Sequence, residues 1–322
     1  MTRGRWLAAA ALLCLLGAAV AVRTPFRRDL ALAAERAAAH STVLATRCGP
    51  IEIQQAGAGL PLLMIHGSGG GHDQGMDFAR PLAARGLRVI AVSRFGYLRT
   101  PRPPDASPEA QADAHVCVLD ALGIERAAVL GLSAGGPSAL QTAIRHPQRV
   151  DALVLVVPLV RKPEVVADSA PPVSDAKDAW LLRLLGSDFL YWSALRLAPD
   201  LLLRHLFATP PALLQAADAR ERAQVQALAA HVLPVSARAA GLRDDTRLGK
   251  RLPPYPLESI RAPTLLISAR DDGFGTYANA QYAASRIAQA RFVGYEQGGH
   301  LLVGHGEQTI ATIADWVKAG GR

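Results

Sequence analysis

The chain has 322 residues, enough for one large α/β domain or two of ordinary size, and 50% of them are hydrophobic against 19% charged. That balance excludes a disordered, collagen-like or acidic-tail protein, and aromatics at only 5% leave small aliphatic side chains to fill the core. The formal charge of +8 is not a nucleic-acid signal: Arg3, Arg5, Arg23, Arg27 and Arg28 carry most of it, and elsewhere cations alternate with carboxylates without a basic run set among aromatics. No nucleic-acid partner is expected.

Residues 1–28 read as a targeting segment. Arg3-Gly4-Arg5 precedes an apolar run from Trp6 to Val22 with no charged residue, and Arg23 closes it. A cationic head before such a run is an export signal. Its 17 residues lie at the lower edge of what spans a bilayer, which fits an uncleaved anchor, while Ala19-Val20-Ala21 fits the small-x-small pattern of a cleavage site. Both outcomes stay open. Arg23, Arg27 and Arg28 beyond the cleavage point favour the anchor, with residues 29–322 outside the cytoplasm, over a released, exported body.

The cysteines are Cys14, Cys48 and Cys117, and no CxxC or Cys/His cluster has metal-ligand spacing, so no metal is expected. Cys48 and Cys117 can pair in an exported protein, but two separate buried thiols are the preferred reading.

Residues 27–40 form an Ala-rich helical stretch, and the folded body begins near Ser41. Residues 42–48 and 51–55 are two short strands of an opening hairpin, and the Gly57 and Gly59 turn leads into a buried strand at 61–65. Strand-like and helix-like segments then alternate: a strand at 88–92, a helix over 107–122, a strand at 127–132, a helix over 134–146 and a strand at 150–157. Ser107 caps the first of these helices with Pro108 in its opening turn. The strands are continuous apolar runs, as a sheet covered on both faces requires. The expected fold class is α/β, a doubly wound, mostly parallel sheet.

The alternation stops at Pro158 and resumes at Pro263, with short helices expected over 179–185, 188–197, 199–207 and 221–233. Residues 158–258 are therefore a helical cap inserted into a core made of 29–157 and 259–322. Trp180, Phe189, Tyr191, Trp192 and Phe207 gather there, and they read mainly as the insert's own core, with a ligand-facing lining as the alternative.

The sharpest chemical signal is Gly131-Leu132-Ser133-Ala134-Gly135 between a strand and a helix. A serine on so tight a turn is pushed clear of the backbone, and the helix start behind it favours developing negative charge. A hydroxyl needs a base, an orienting acid and oxyanion donors. His66-Gly67-Ser68-Gly69-Gly70-Gly71 follows a buried strand and matches neither a dinucleotide nor a phosphate-loop pattern, so it reads as an oxyanion loop. Asp271 and Asp272 stand just past the strand at 264–268, where sites on α/β sheets gather. A helix over 276–288, a strand at 291–295 and the last helix over 307–319 complete the chain, with His300 in a Gly298-Gly299-His300 loop as the base. His305 is its competitor; His72, His115, His146, His205 and His231 read as structural or exposed.

The order Ser133, Asp272, His300, with the His66-Gly67 loop and the insert after the strand at 150–157, resembles the α/β-hydrolase superfamily, in particular its cap-bearing esterases and carbon–carbon bond hydrolases. The resemblance covers roughly residues 43–318. It implies Ser133 as nucleophile, His300 as base and Asp272 as acid, because the family's acid stands four residues after the last strand residue, here Ser268. Asp271 is then expected to matter little. The backbone N–H groups of Ser68 and Ala134 match the family's oxyanion donors. One departure is Ser93-Arg94-Phe95-Gly96-Tyr97, where many members have an Asp.

The expected function is a serine hydrolase acting on an ester or related acyl bond of a small apolar substrate, without a cofactor. The alternatives are a carbon–carbon bond hydrolase, lyase or perhydrolase using the same triad, and a binding protein that keeps the fold without turnover. No motif sets the oligomeric state.

Overall fold

The computed structural model describes residues 3–160 and 186–320, for residues 3–12, 14–16 and 18 the backbone only. The expected helix over 179–185 and Trp180 lie outside the described residues.

One helix, α1 (Arg3–Ala38), takes in the apolar leader and the Ala-rich stretch, Pro25 included, without a break at residue 28. Among the described residues no helix is long and apolar enough to cross a membrane. Beyond α1 the hairpin forms as expected: β1 (Thr42–Thr46) pairs antiparallel with β2 (Gly49–Ala56), which pairs antiparallel with β4 (Leu87–Val92). The remaining neighbours are parallel, running from β4 through β3 (Leu60–Ile65), β5 (Ala127–Leu132), β6 (Val150–Val156) and β7 (Thr264–Ala269) to β8 (Ala290–Tyr295). The eight strands lie in the order β1-β2-β4-β3-β5-β6-β7-β8.

Helices α2 (His72–Ala83), α3 (Pro108–Ala121) and α4 (Gly136–Arg145) precede β6. Between β6 and β7 the described residues hold helices and no strand: α5 (Asp188–Leu197), α6 (Pro199–His205), α7 (Pro211–Ala216), α8 (Ala219–Ala230) and α9 (Ala239–Lys250). Helices α10 (Thr276–Arg286) and α11 (Gly306–Lys318) flank β8.

Side chains alternate across a strand, so the sheet sorts its residues between two cores. Leu62 and Met64 pack with Met76 and Leu82 of α2 and Ile313 of α11, whereas Leu63 and Ile65 pack with Val118 of α3 and Leu140 of α4. A third core joins Tyr191, Trp192 and Leu202 of the inserted helices, and Phe207 and Val232 from the joints between them, to Tyr97 and to Ala33 of α1. Tyr191 and Trp192 thus belong to the insert's own core, while Phe189 is 42% exposed. Phe26 of α1 meets Phe189 and Trp192 edge-on at 5.2 and 5.5 Å, and Asp29 accepts from Trp192 Nε1 at 2.9 Å.

Cys48 and Cys117 form a disulfide, not the two separate thiols expected from the sequence. The β1–β2 turn lies beside α3, which brings the two Cα atoms to 6.0 Å, within bridging range.

Candidate active site

Ser133 opens a 3-10 turn (Ser133–Gly135) between β5 and α4 with φ 50°, in the left-handed region that strains an L side chain. The motif's glycines follow from close approach. A Cβ on Gly131 would stand 2.6 Å from the Ala139 Cβ, and one on Gly135 would stand 2.6 and 2.7 Å from the carbonyl oxygens of Ile65 and His66.

His300 lies between β8 and α11, its Nε2 2.9 Å from Ser133 Oγ and its Nδ1 2.7 Å from Asp272 Oδ2. With Asp272 accepting from Nδ1–H, Nε2 turns its lone pair to the serine hydroxyl. Asp272 is buried, and it also accepts from Phe274 N at 2.8 Å and from Thr276 Oγ1. Phe274 packs edge-on against the imidazole at 4.9 Å. His305 stands apart as the N-cap of α11, stacked on Tyr295 at 3.9 Å.

Asp271, the neighbouring acid, has partners of its own in the loop that carries the base. Its carboxylate accepts from Gly299 N at 2.8 Å and from Gly298 N at 3.2 Å, so it holds the loop that carries His300. Sequence position alone showed only which of two neighbouring acids follows the family's spacing.

Ser68 and Ala134 line the same cavity as Ser133 and His300. Ala134 is in the first turn of a helix, where the backbone N–H has no intrahelical acceptor. The loop that carries Ser68 is held by His66, whose Nε2 accepts from Arg94 N at 3.0 Å, which leaves the proton on Nδ1 to donate to Gly67 O at 2.7 Å. Burial, followed by the Arg94 charge, pushes the His66 pKa well below the ordinary histidine range, so it serves as a neutral strut. Arg94, from the segment where the chain departs from the family pattern, donates to His66 O at 3.0 Å and pairs with Asp245 of α9 at 2.6 Å. Asp245 also accepts from Ser68 Oγ at 2.9 Å and from Tyr97 OH.

The cavity measures about 380 Å³, with Phe78, Leu132, Val157, Phe207, Val232 and Leu301 among its walls. Among the described residues no Lys or Arg lines it. Arg102, Arg247 and Arg251 gather instead around a separate cavity of about 340 Å³ that shares only Ala134 and Asp245 with the first. Among the described residues no cluster of His, Cys, Asp or Glu could hold a metal ion.

A nucleophile elbow at the C-terminal end of a central parallel strand, faced by an acid and a base from later loops, defines a class of α/β protein. The chain belongs to the α/β-hydrolase fold family, whose model matches residues 61–306. The 2-hydroxymuconate semialdehyde hydrolase of Pseudomonas sp. (strain CF600) is 45% identical over 108 residues, 32% of this chain and 38% of that protein. The match thus spans less than two-fifths of that relative's length. Among solved structures, an alpha/beta hydrolase fold protein from Nakamurella multipartita is 30% identical with a TM-score of 0.66, covering 87% of this chain and 100% of its own. An esterase from Exiguobacterium antarcticum, 22% identical with a TM-score of 0.62 over 86% of this chain and 99% of its own, is alike in fold.

Proposed function

We propose that the protein is a serine hydrolase that cleaves an ester or related acyl bond of a small apolar substrate. The observation that carries this reading is the continuous relay from Ser133 Oγ through His300 to Asp272, opening into an apolar cavity. As Oγ attacks the carbonyl, His300 Nε2 takes the hydroxyl proton and Asp272 supports the imidazolium. The N–H groups of Ser68 and Ala134 receive the oxyanion; a single such donor is worth about 10²–10³ in rate. Collapse transfers the proton from His300 to the leaving alcohol and leaves an acyl group on Ser133. Water, deprotonated by His300, then releases the acid. The described helices between β6 and β7 act as the cap over this chemistry. No cofactor takes part in any step.

The similarity to a 2-hydroxymuconate semialdehyde hydrolase favours a second reading, hydrolysis of a carbon–carbon bond by the same triad. A muconate is anionic, and the absence of Lys and Arg among the described cavity walls supports the ester reading over it.

The N-terminal segment is proposed as a membrane anchor with the body outside the cytoplasm. The cationic, apolar start of α1 and a disulfide, which persists in oxidising compartments, support this.

A panel of 4-nitrophenyl esters, lactones and thioesters of graded acyl length tests the activity. Turnover of apolar esters by the wild type and its loss in Ser133→Ala are expected. Turnover of a dienoate carbon–carbon substrate with none of any ester would overturn the first reading in favour of the second.

A further inference from the structure

Four consecutive backbone N–H groups around His300 each have an acceptor from elsewhere in the chain. Gly298 N and Gly299 N donate to the two carboxylate oxygens of Asp271 at 3.2 and 2.8 Å, His300 N to Ala208 O at 3.4 Å, and Leu301 N to Thr209 Oγ1 at 3.1 Å. A surface loop ordinarily gives such donors to water. Here the core supplies one pair of acceptors, and the segment just after α6 supplies the other.

The fit between that segment and the loop is close. Gly299 has φ +61°, and a Cβ there would stand 2.7 Å from both Thr209 Cγ2 and Oγ1. Thr209 is 1% exposed and donates its own hydroxyl proton to Phe207 O at 2.8 Å, which orients its lone pairs toward Leu301 N. Ala208 O accepts from Gly273 N at 3.0 Å as well as from His300 N, so one carbonyl touches the residue after Asp272 and the base itself.

We propose that Asp271 and the inserted segment Ala208–Thr209 are positioning residues for the base: they fix the His300 backbone against the Asp272 loop, so the insert assembles the triad as well as walling the cavity. This rests on the reading of His300 as the base for Ser133. Small misplacements of reacting groups cost rate steeply, whereas substrate binding in the apolar cavity does not depend on these hydrogen bonds.

The test uses the full chain and compares Thr209→Val, which keeps the side-chain volume and loses the acceptor, with Thr209→Ser, which keeps the acceptor. The measurements are the rate of Ser133 modification by a fluorophosphonate, kcat and KM for a 4-nitrophenyl ester, and the melting temperature. Thr209→Val should be modified about 10–100-fold more slowly, with kcat falling in parallel and KM within about threefold. Thr209→Ser should stay within about threefold of the wild type in labelling rate, kcat and KM. Asp271→Asn should resemble Thr209→Val and carries the same test if the valine variant does not fold. Wild-type rates in Thr209→Val and Asp271→Asn, or equal losses in the Val and Ser variants, would overturn the proposal while leaving Ser133 labelling by the wild type, and so the parent reading, intact. A wild-type protein that is not labelled at Ser133 would fail the parent reading, and this one with it.

Discussion

Arg94 and Asp245 meet where the sheet joins the inserted helices, Nη1 and Nη2 lying 2.8 and 2.6 Å from the two carboxylate oxygens, with side chains only 8% and 7% exposed. The same carboxylate receives the Ser68 hydroxyl, so one buried charge pair ties α9 to the oxyanion loop. Removing one partner strands a charge away from water. Arg94→Met alone should destabilise the protein by about 3–5 kcal/mol, and Arg94→Met with Asp245→Leu by much less, because a buried pair is costly to halve and cheap to replace. Urea unfolding of both single variants and the double variant measures this, and a double variant as unstable as the sum of the singles would contradict it.

The triad should behave as one unit. Ser133→Ala and His300→Ala are each expected to lower kcat by roughly 10³-fold or more, with the double variant little worse than either alone. Asp272→Asn should also be severe, since it offers Nδ1 an amide that can select the wrong tautomer. Asp271→Asn should fall between Asp272→Asn and the wild type. Steady-state kinetics on one ester substrate ranks the four, and a loss in Asp271→Asn larger than in Asp272→Asn would reassign the acid.

Gly135 faces two carbonyl oxygens that cannot retreat without disturbing β3 and the His66 loop. Gly135→Ala should therefore cost both activity and stability, with a fall in melting temperature of several degrees, on the order of 1–3 kcal/mol for an overpacked site. A variant with unchanged melting temperature and kcat would show that the turn is looser than the structure describes.

Acid should unfold the protein through its buried neutral histidines. His115 lies at Ser138 Oγ, 3.2 Å away, and burial, aided by the Arg94 charge, pushes its pKa down to about 3. His66 is displaced in the same direction. Both take up a proton near pH ~6.5 in the unfolded chain but not in the folded one, so stability falls as pH drops below that value. For His115 the loss continues toward pH 3 and amounts to about 2 kcal/mol by pH 5. Thermal melts between pH 7 and 5 should show a shallower pH dependence in His115→Gln than in the wild type, and identical slopes would count against this assignment.

Substrate preference follows from the cavity walls. Transfer of apolar area from water contributes about 25 cal/mol per Å², while a carboxylate buried there finds no Lys or Arg among the described lining residues. An alkyl ester should thus exceed the corresponding dicarboxylic half-ester in kcat/KM by 10-fold or more, roughly the factor that 1.4 kcal/mol produces. Comparable values would argue for a cation reaching the bound acyl group.

The parallel strands and the elbow were legible in the sequence because each is a local pattern: apolar runs such as 127–132, and two glycines that must admit close neighbours. Helix α2 was not, since Gly75 and Pro81 break its helical sequence signal and its glycine is there to pack against Met64 and Ala91. Helix α9 was missed for another reason, a polar sequence in which only Gly241, Leu242 and Asp245 are buried. The acceptors that hold the His300 loop and the partners of Arg94 come from segments distant in sequence, and no local spacing encodes them. The Cys48–Cys117 bridge, 69 residues apart, is of the same kind.

The most direct test of the account is the site of covalent capture. The full chain is treated with a fluorophosphonate, digested and mapped by tandem mass spectrometry, with ester turnover followed in parallel. A single adduct on Ser133, absent from Ser133→Ala, slowed in His300→Ala and matched by loss of turnover, is the result predicted. An adduct on another serine, or turnover that survives full modification of Ser133, would contradict it.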